Sequence, residues 1–219
     1  MRVVAVALVS ALALAACGQR GPAGGEQSAD AGAPGMFPNL MAATYRAEAS
    51  VRDGHGGVIP VVTYRDGRKQ RMEFTTGEGS SVIINNGDTG ESFVMTNAGG
   101  HMMAMRLTAA NTGGVKNPAE AWADAAAATH TGPCSGAGQS GQEWTRTEGD
   151  GTSSVCVTGD GIILTATENG NTVWETTSVQ RGPQSADLFV LPPGVQVMDM
   201  SNMAGMAEAL ARARSRDEE

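Results

Sequence analysis

Three cysteines, three histidines and twelve methionines carry most of the chemistry open to this 219-residue chain. His101, Met103 and Met105 alternate along one stretch, and Met198, Met200, Met203 and Met206 gather near the C-terminus. Thioether and imidazole groups so placed would suit a soft ion such as Cu(I). Neither group imposes a tight ligand geometry, and methionines at helical spacing ordinarily pack, so copper binding stands only as an alternative reading. Gly132-Pro133-Cys134-Ser135-Gly136 imitates a nucleophile elbow with His130 nearby, and Gly136-Ala137-Gly138-Gln139-Ser140-Gly141 has the spacing of a dinucleotide-binding loop. Both chemistries need a strand before the loop and a helix after it, whereas here an alanine-rich helical pattern precedes and a strand follows. His55 in Asp53-Gly54-His55-Gly56-Gly57, and Asp150 between Gly149 and Gly151, read as turn residues rather than ligands. No enzyme is expected, and no cofactor or resident metal.

The elements that would position these groups are mostly strands. Arg71 to Thr75 alternates charged or polar with apolar residues. Ser81 to Asn85, Glu91 to Thr96 and His101 to Leu107 follow, separated by Asn86-Gly87-Asp88 and Asn97-Ala98-Gly99-Gly100. The pattern resumes at Gln142 to Thr147, Ser154 to Thr158, Ile162 to Glu168 and Thr172 to Gln180, with short turns at Gly159-Asp160-Gly161 and Asn169-Gly170-Asn171. Hairpins in series predict an antiparallel meander. Between the two runs, Asn117-Pro118-Ala119-Glu120 supplies a cap, a first-turn proline and a carboxylate, so a helix is expected with Ala119, Trp122, Ala123, Ala126 and Ala127 on one face. A second helix is expected from about Ser201 to Arg214, with Met203, Met206 and Leu210 on one side.

The N-terminus sets the compartment. Arg2 precedes an uncharged apolar run from Val3 to Ala16, which reads as a signal peptide too short to span a bilayer comfortably. Leu14-Ala15-Ala16-Cys17 resembles the lipobox of bacterial lipoproteins. The resemblance implies acylation of Cys17 after removal of residues 1–16, and Gly18 in the following position implies the outer membrane, with the domain facing the periplasm. Residues 18–35, rich in Gly, Ala and Pro, form a tether with Cys17. With Cys17 lipidated, Cys134 and Cys156 remain, and an even pair in an oxidising compartment is expected to form a disulfide. The net charge of −8 becomes −9 once Arg2 is lost. The Arg212, Arg214 and Arg216 cluster abuts Asp217, Glu218 and Glu219, so nucleic-acid binding is disfavoured.

Tyr64-Arg65-Asp66-Gly67 leading to Arg71-Met72-Glu73-Phe74, the following VIINNGDTGESFVM, and Asp187-Leu188-Phe189-Val190-Leu191-Pro192-Pro193-Gly194 with its Met-Asp-Met sequel resemble lipoproteins related to LolA and LolB, the periplasmic lipoprotein carrier and its outer-membrane receptor. The resemblance runs from about Tyr45 to Met200. It implies, for residues 36–219, a mainly β fold: one strongly curved antiparallel sheet, an incomplete barrel, covered by helices and enclosing a cavity for acyl chains or other apolar ligands. By period-two counting Met72, Phe74, Ile84, Phe93, Met95, Met103 and Met105, with Ile162, Leu164 and Trp122, are the candidate ligand-binding residues. The expected function is a lipid-anchored binding protein whose partners are the membrane, an apolar ligand and an envelope protein. A non-enzymatic scaffold or stress sensor, its interior filled by its own side chains, is the alternative; an opening between Trp122 and the strand carrying Phe93 and Met95 would separate the two.

Overall fold

The structure, a computed structural model, describes residues 36–52, 56–77, 79–98, 101–107, 118–123, 125 and 127–198. Cys17, His55, Met200, Met203, Met206 and the second expected helix lie outside them.

Strands β1 (Thr44–Arg52), β2 (Val58–Asp66), β3 (Lys69–Thr76), β4 (Gly79–Asn86), β5 (Glu91–Ala98) and β6 (His101–Arg106) each pair antiparallel with the next. One helical turn, α1 (Pro118–Ala121), precedes a second meander of β7 (Thr129–Gly136), β8 (Gln139–Glu148), β9 (Gly151–Val157), β10 (Ile163–Glu168) and β11 (Asn171–Arg181). β11 then pairs antiparallel with β1, fusing the meanders, and after a 3-10 turn at Ala186–Phe189 the short β12 (Gln196–Met198) adds parallel to β6. The result is one open 12-stranded sheet in the order β12-β6-β5-β4-β3-β2-β1-β11-β10-β9-β8-β7.

Local chemistry accounts for the hairpins. Asn169 and Gly170 take φ of 51° and 77° between the paired Glu168 and Asn171, the left-handed pair that a two-residue hairpin turn requires. Ala137 and Gly138, at 50° and 70°, do the same between Gly136 and Gln139. The dinucleotide-like segment is therefore a hairpin tip, and Gly132 to Gly136 is the end of a strand.

The helix-covered incomplete barrel is not what forms. The described fold is almost entirely strand, and its one α-helix has four residues. Trp122 N–H donates to Pro118 O and Ala123 N–H only to Glu120 O, so the helix stops after its first turn. The physical reason is that short helices need an apolar face to hold them, and beyond Trp122 the alanines offer too little area.

The sheet is nevertheless sharply bent. The Asn85 side-chain amide on β4 donates to Glu120 Oε1 at 2.8 Å, and Arg146 on β8 donates to Ala121 O at 2.7 Å. In a flat sheet β4 and β8 would lie about 34 Å apart at roughly 4.8 Å per strand, beyond the reach of one helical turn. On the inner face, Phe37 and Leu40, with Ala119 of α1 and the following Trp122, pack on a core that includes Met72, Phe74, Trp144, Val155 and Trp174. On the outer face, Leu191 and Val195 cover Ile84, Met95 and Ala104.

Candidate functional site

Directly paired residues of neighbouring strands project to the same side of a sheet. The register therefore aligns Trp144, Val155, Ala166, Trp174, Val51 and Ile59 in one row across β8, β9, β10, β11, β1 and β2. Five strand spacings make this apolar row about 24 Å long measured along the sheet. A polar row, Arg146, Ser153 and Glu168, runs beside it. An open groove of about 910 Å³ lies against the Ala166-to-Ile59 part of the apolar row, bordered by Phe74 and Trp122 as well as by Val51, Ile59, Ala166 and Trp174, with Arg52, Arg146 and Glu168 among its polar neighbours.

The aromatic walls are fixed by specific contacts. Trp174 Nε1–H donates to Thr176 Oγ1 at 3.0 Å, whose hydroxyl donates in turn to Ile163 O at 2.7 Å. Trp122 stacks on Phe37 with centroids 5.7 Å apart and planes 13° apart, and the Arg146 guanidinium carbon lies 4.5 Å from the Trp122 centroid. Phe37 meets Trp144 edge-on at 5.4 Å. His130 holds the other side of Trp144, with ring centroids 5.2 Å apart, and its Nε2 pairs with Gln142 Oε1 at 2.7 Å. A second crevice of about 500 Å³, also bordered by Trp122, lies between Met36–Met41 and Trp144.

A polar cluster closes the opposite end of the inner face. Tyr45 and Arg65 are buried side by side in the pairing of β1 with β2. Burial pushes the Tyr45 phenol pKa up, while the Arg65 guanidinium pulls against it. Arg181 grips Asp160 through two hydrogen bonds of 2.6 and 3.0 Å and also donates to Gln139 Oε1. Burial raises the Asp160 pKa, but the hydrogen bonds from Arg181 and Thr158 outweigh it and hold the carboxyl below its ordinary value.

Of the ligand-binding residues expected from sequence, Phe74 and Trp122 border the groove. Met72 shares their face and is fully buried in the core. Met103 and Met105 also belong to that face, through the pairings Met105 with Val94, Val94 with Ile83 and Ile83 with Met72. Ile84, Phe93 and Met95 are on the outer face, because Met72 pairs with Ile83 and Ile84 therefore projects the other way. β4 carries Val82, Ile83 and Ile84 in succession, so alternation alone does not define its inner side. Trp122 and the Phe93–Met95 pair consequently have the sheet between them, and the opening lies at the Trp174 end instead. Ile162 packs with Ala43, Tyr45 and Ala47, and Leu164 is fully buried, its Cβ 3.2 Å from where a Cβ on Gly136 would stand. Cys134 and Cys156 form a disulfide. Met198 pairs with Met105 across β12 and β6. Sequence reading did not pick out Trp174, Val51, Ile59, Arg146 or Phe37 as site residues; Phe37 precedes the first strand, Trp174 and Arg146 stand in strands that are otherwise mostly polar, and nothing local signals the row.

No protein-family model matches the chain, and no curated protein matches it. Among solved structures it is similar to PNGF-II in two crystal forms, with 14% and 15% identity over 72% and 75% of this chain and TM-scores of 0.46 and 0.44. These alignments cover 31% and 33% of the PNGF-II chain, so this chain spans about a third of its length. An uncharacterized conserved protein from Thermus thermophilus aligns at 13% identity over 73% of this chain and 92% of its own, with a TM-score of 0.48. At this level of likeness no activity passes from those proteins to this one.

Proposed function

We propose that this protein is a non-enzymatic lipoprotein of the bacterial outer membrane, anchored through Cys17 and facing the periplasm, that holds the acyl chain of an anionic lipid in the inner-face groove. The observation that carries the reading is the unbroken apolar row Ala166, Trp174, Val51 and Ile59 bordering an open space of about 910 Å³. That volume suits a small-molecule site, and each methylene buried there contributes about 0.8 kcal/mol. Charge supports an anionic head group: two cations, Arg52 and Arg146, against one carboxylate, Glu168, border the groove of a chain with 15 basic and 23 acidic residues. Among the described residues no helix is long and apolar enough to cross a membrane, and attachment in this reading needs only the acylated cysteine.

Native mass spectrometry followed by organic extraction tests the site. The purified protein is expected to carry an acyl-bearing molecule at defined stoichiometry. Ala121→Trp, which adds a large ring to an exposed position bordering the groove without touching the core, is expected to reduce occupancy at least tenfold. A wild-type protein that neither retains nor takes up a fatty acid would overturn the reading.

A further inference from the structure

We infer that Phe37 and Trp122 form the end wall of the groove and set the length of acyl chain it accepts. The inference rests on the lipid-binding reading above and concerns the same site.

Trp122 borders both the groove of about 910 Å³ and the crevice of about 500 Å³, and the two side chains against its ring divide between them, Arg146 bordering the groove and Phe37 the crevice. The apolar row does not stop with the groove, because it continues from Ala166 through Val155 to Trp144, which borders the crevice. A longer chain would find apolar surface beyond Trp122 if the ring moved aside.

What holds the ring is its neighbours rather than its helix. α1 has four residues, and a helix that short does not maintain its own geometry. Trp122 is kept in place by stacking on Phe37 and by the Arg146 guanidinium. Phe37 is in turn held by the strap that carries it. Leu40 is buried in the core, Asn39 Oδ1 accepts from Met41 N–H, and the Asn39 carbonyl lies so close to Gly161 that no Cβ fits there. The strap is thus docked just after Phe37, while Met36 before it is 82% exposed. Truncating Phe37 removes the stacking partner of Trp122 and enlarges the crevice in one step, joining the two spaces. Each methylene newly buried then strengthens binding about fourfold.

The test offers the mature wild-type, Phe37→Ala and Phe37→Trp proteins an equimolar mixture of decanoate, tetradecanoate and octadecanoate and reads bound species by native mass spectrometry. Phe37→Ala is expected to raise the ratio of bound octadecanoate to decanoate at least tenfold, and Phe37→Trp to lower it. Thermal unfolding checks that each variant is folded; should Phe37→Ala not fold, Phe37→Trp decides. Acyl binding with the same chain-length ratio in the folded variants overturns the length stop and leaves the lipid reading standing. No acid bound by the wild type overturns both.

Discussion

Asp160 shows how one side chain joins distant parts of this fold. Its carboxylate accepts from Thr158 Oγ1 in the same turn and from Arg181 at the end of β11, while Arg181 also reaches Gln139 on β8. Because these hydrogen bonds hold the folded pKa below the unfolded one, their stabilisation is fully present above the unfolded value and is lost as pH falls through the folded value. Asp160→Asn is expected to cost about 1 kcal/mol near neutrality, a modest figure because the pair is partly exposed. The gap between variant and wild type should narrow as the pH drops below the ordinary carboxylate range. Urea midpoints measured across that range check this, and a gap independent of pH would refute it. In sequence Asp160 is legible only as a turn residue between glycines, since its partner lies 21 positions away and meets it only after β10 and β11 have paired.

At the scale of elements, β3 to β6, β8 to β11 and several of the turns between them were readable because their signals are local, whereas β1, β2, β7 and β12 were not singled out. Alternation over five or six residues, punctuated by Asn-Gly and Gly-Asp turns, requires no knowledge of the partner strand. The helix was readable only at its start, for a capping pattern says where a helix begins and packing decides how far it runs. β8 adds a feature no strand pattern reveals. The disulfide joins β7 to β9, which lie on either side of β8, with Cα atoms 6.0 Å apart, well short of the roughly 9.6 Å of two flat strand spacings. Gly141 permits that fold: a Cβ there would stand 2.7 Å from Val157 O and 3.2 Å from Cys156 Sγ. Gly141→Ala is expected to destabilise the protein by about 1–3 kcal/mol and to raise the fraction of free thiol after oxidative refolding. Thiol titration and thermal melting measure both; a fully oxidised variant melting like wild type would disprove the close packing.

For the molecule as a whole, the sheet's order makes its ends its weakest parts. Among the described residues β7 is the terminal strand on one side, where its ladder pairing is with β8 alone and the cystine supplies a second attachment. The bridged residues are 22 positions apart, so the loop-closure argument gives roughly 3 kcal/mol of stabilisation. The double variant Cys134→Ser and Cys156→Ser should unfold at a correspondingly lower denaturant concentration, and an unchanged midpoint would mean that β7 is held by its other contacts alone. His130 on β7 rests against Trp144, so the same variant should also loosen the crevice end of the apolar row.

What the sequence determined by itself is what neighbouring residues decide between them: where strands alternate, where the chain reverses, and which two cysteines remain once Cys17 is set aside. What only the tertiary structure decided is which side of each strand faces inward and which residues stand abreast. Val51 and Trp174 are 123 positions apart, yet the pairing of β1 with β11 makes them neighbours in the groove floor. Ile84 and Phe93 left the inner face for the same reason, because a one-residue choice of parity in β4, open in a run of three apolar residues, is closed only by the register with β3. A row across a sheet is a property of pairings, and pairings between distant segments leave no trace in the order of residues along any one of them.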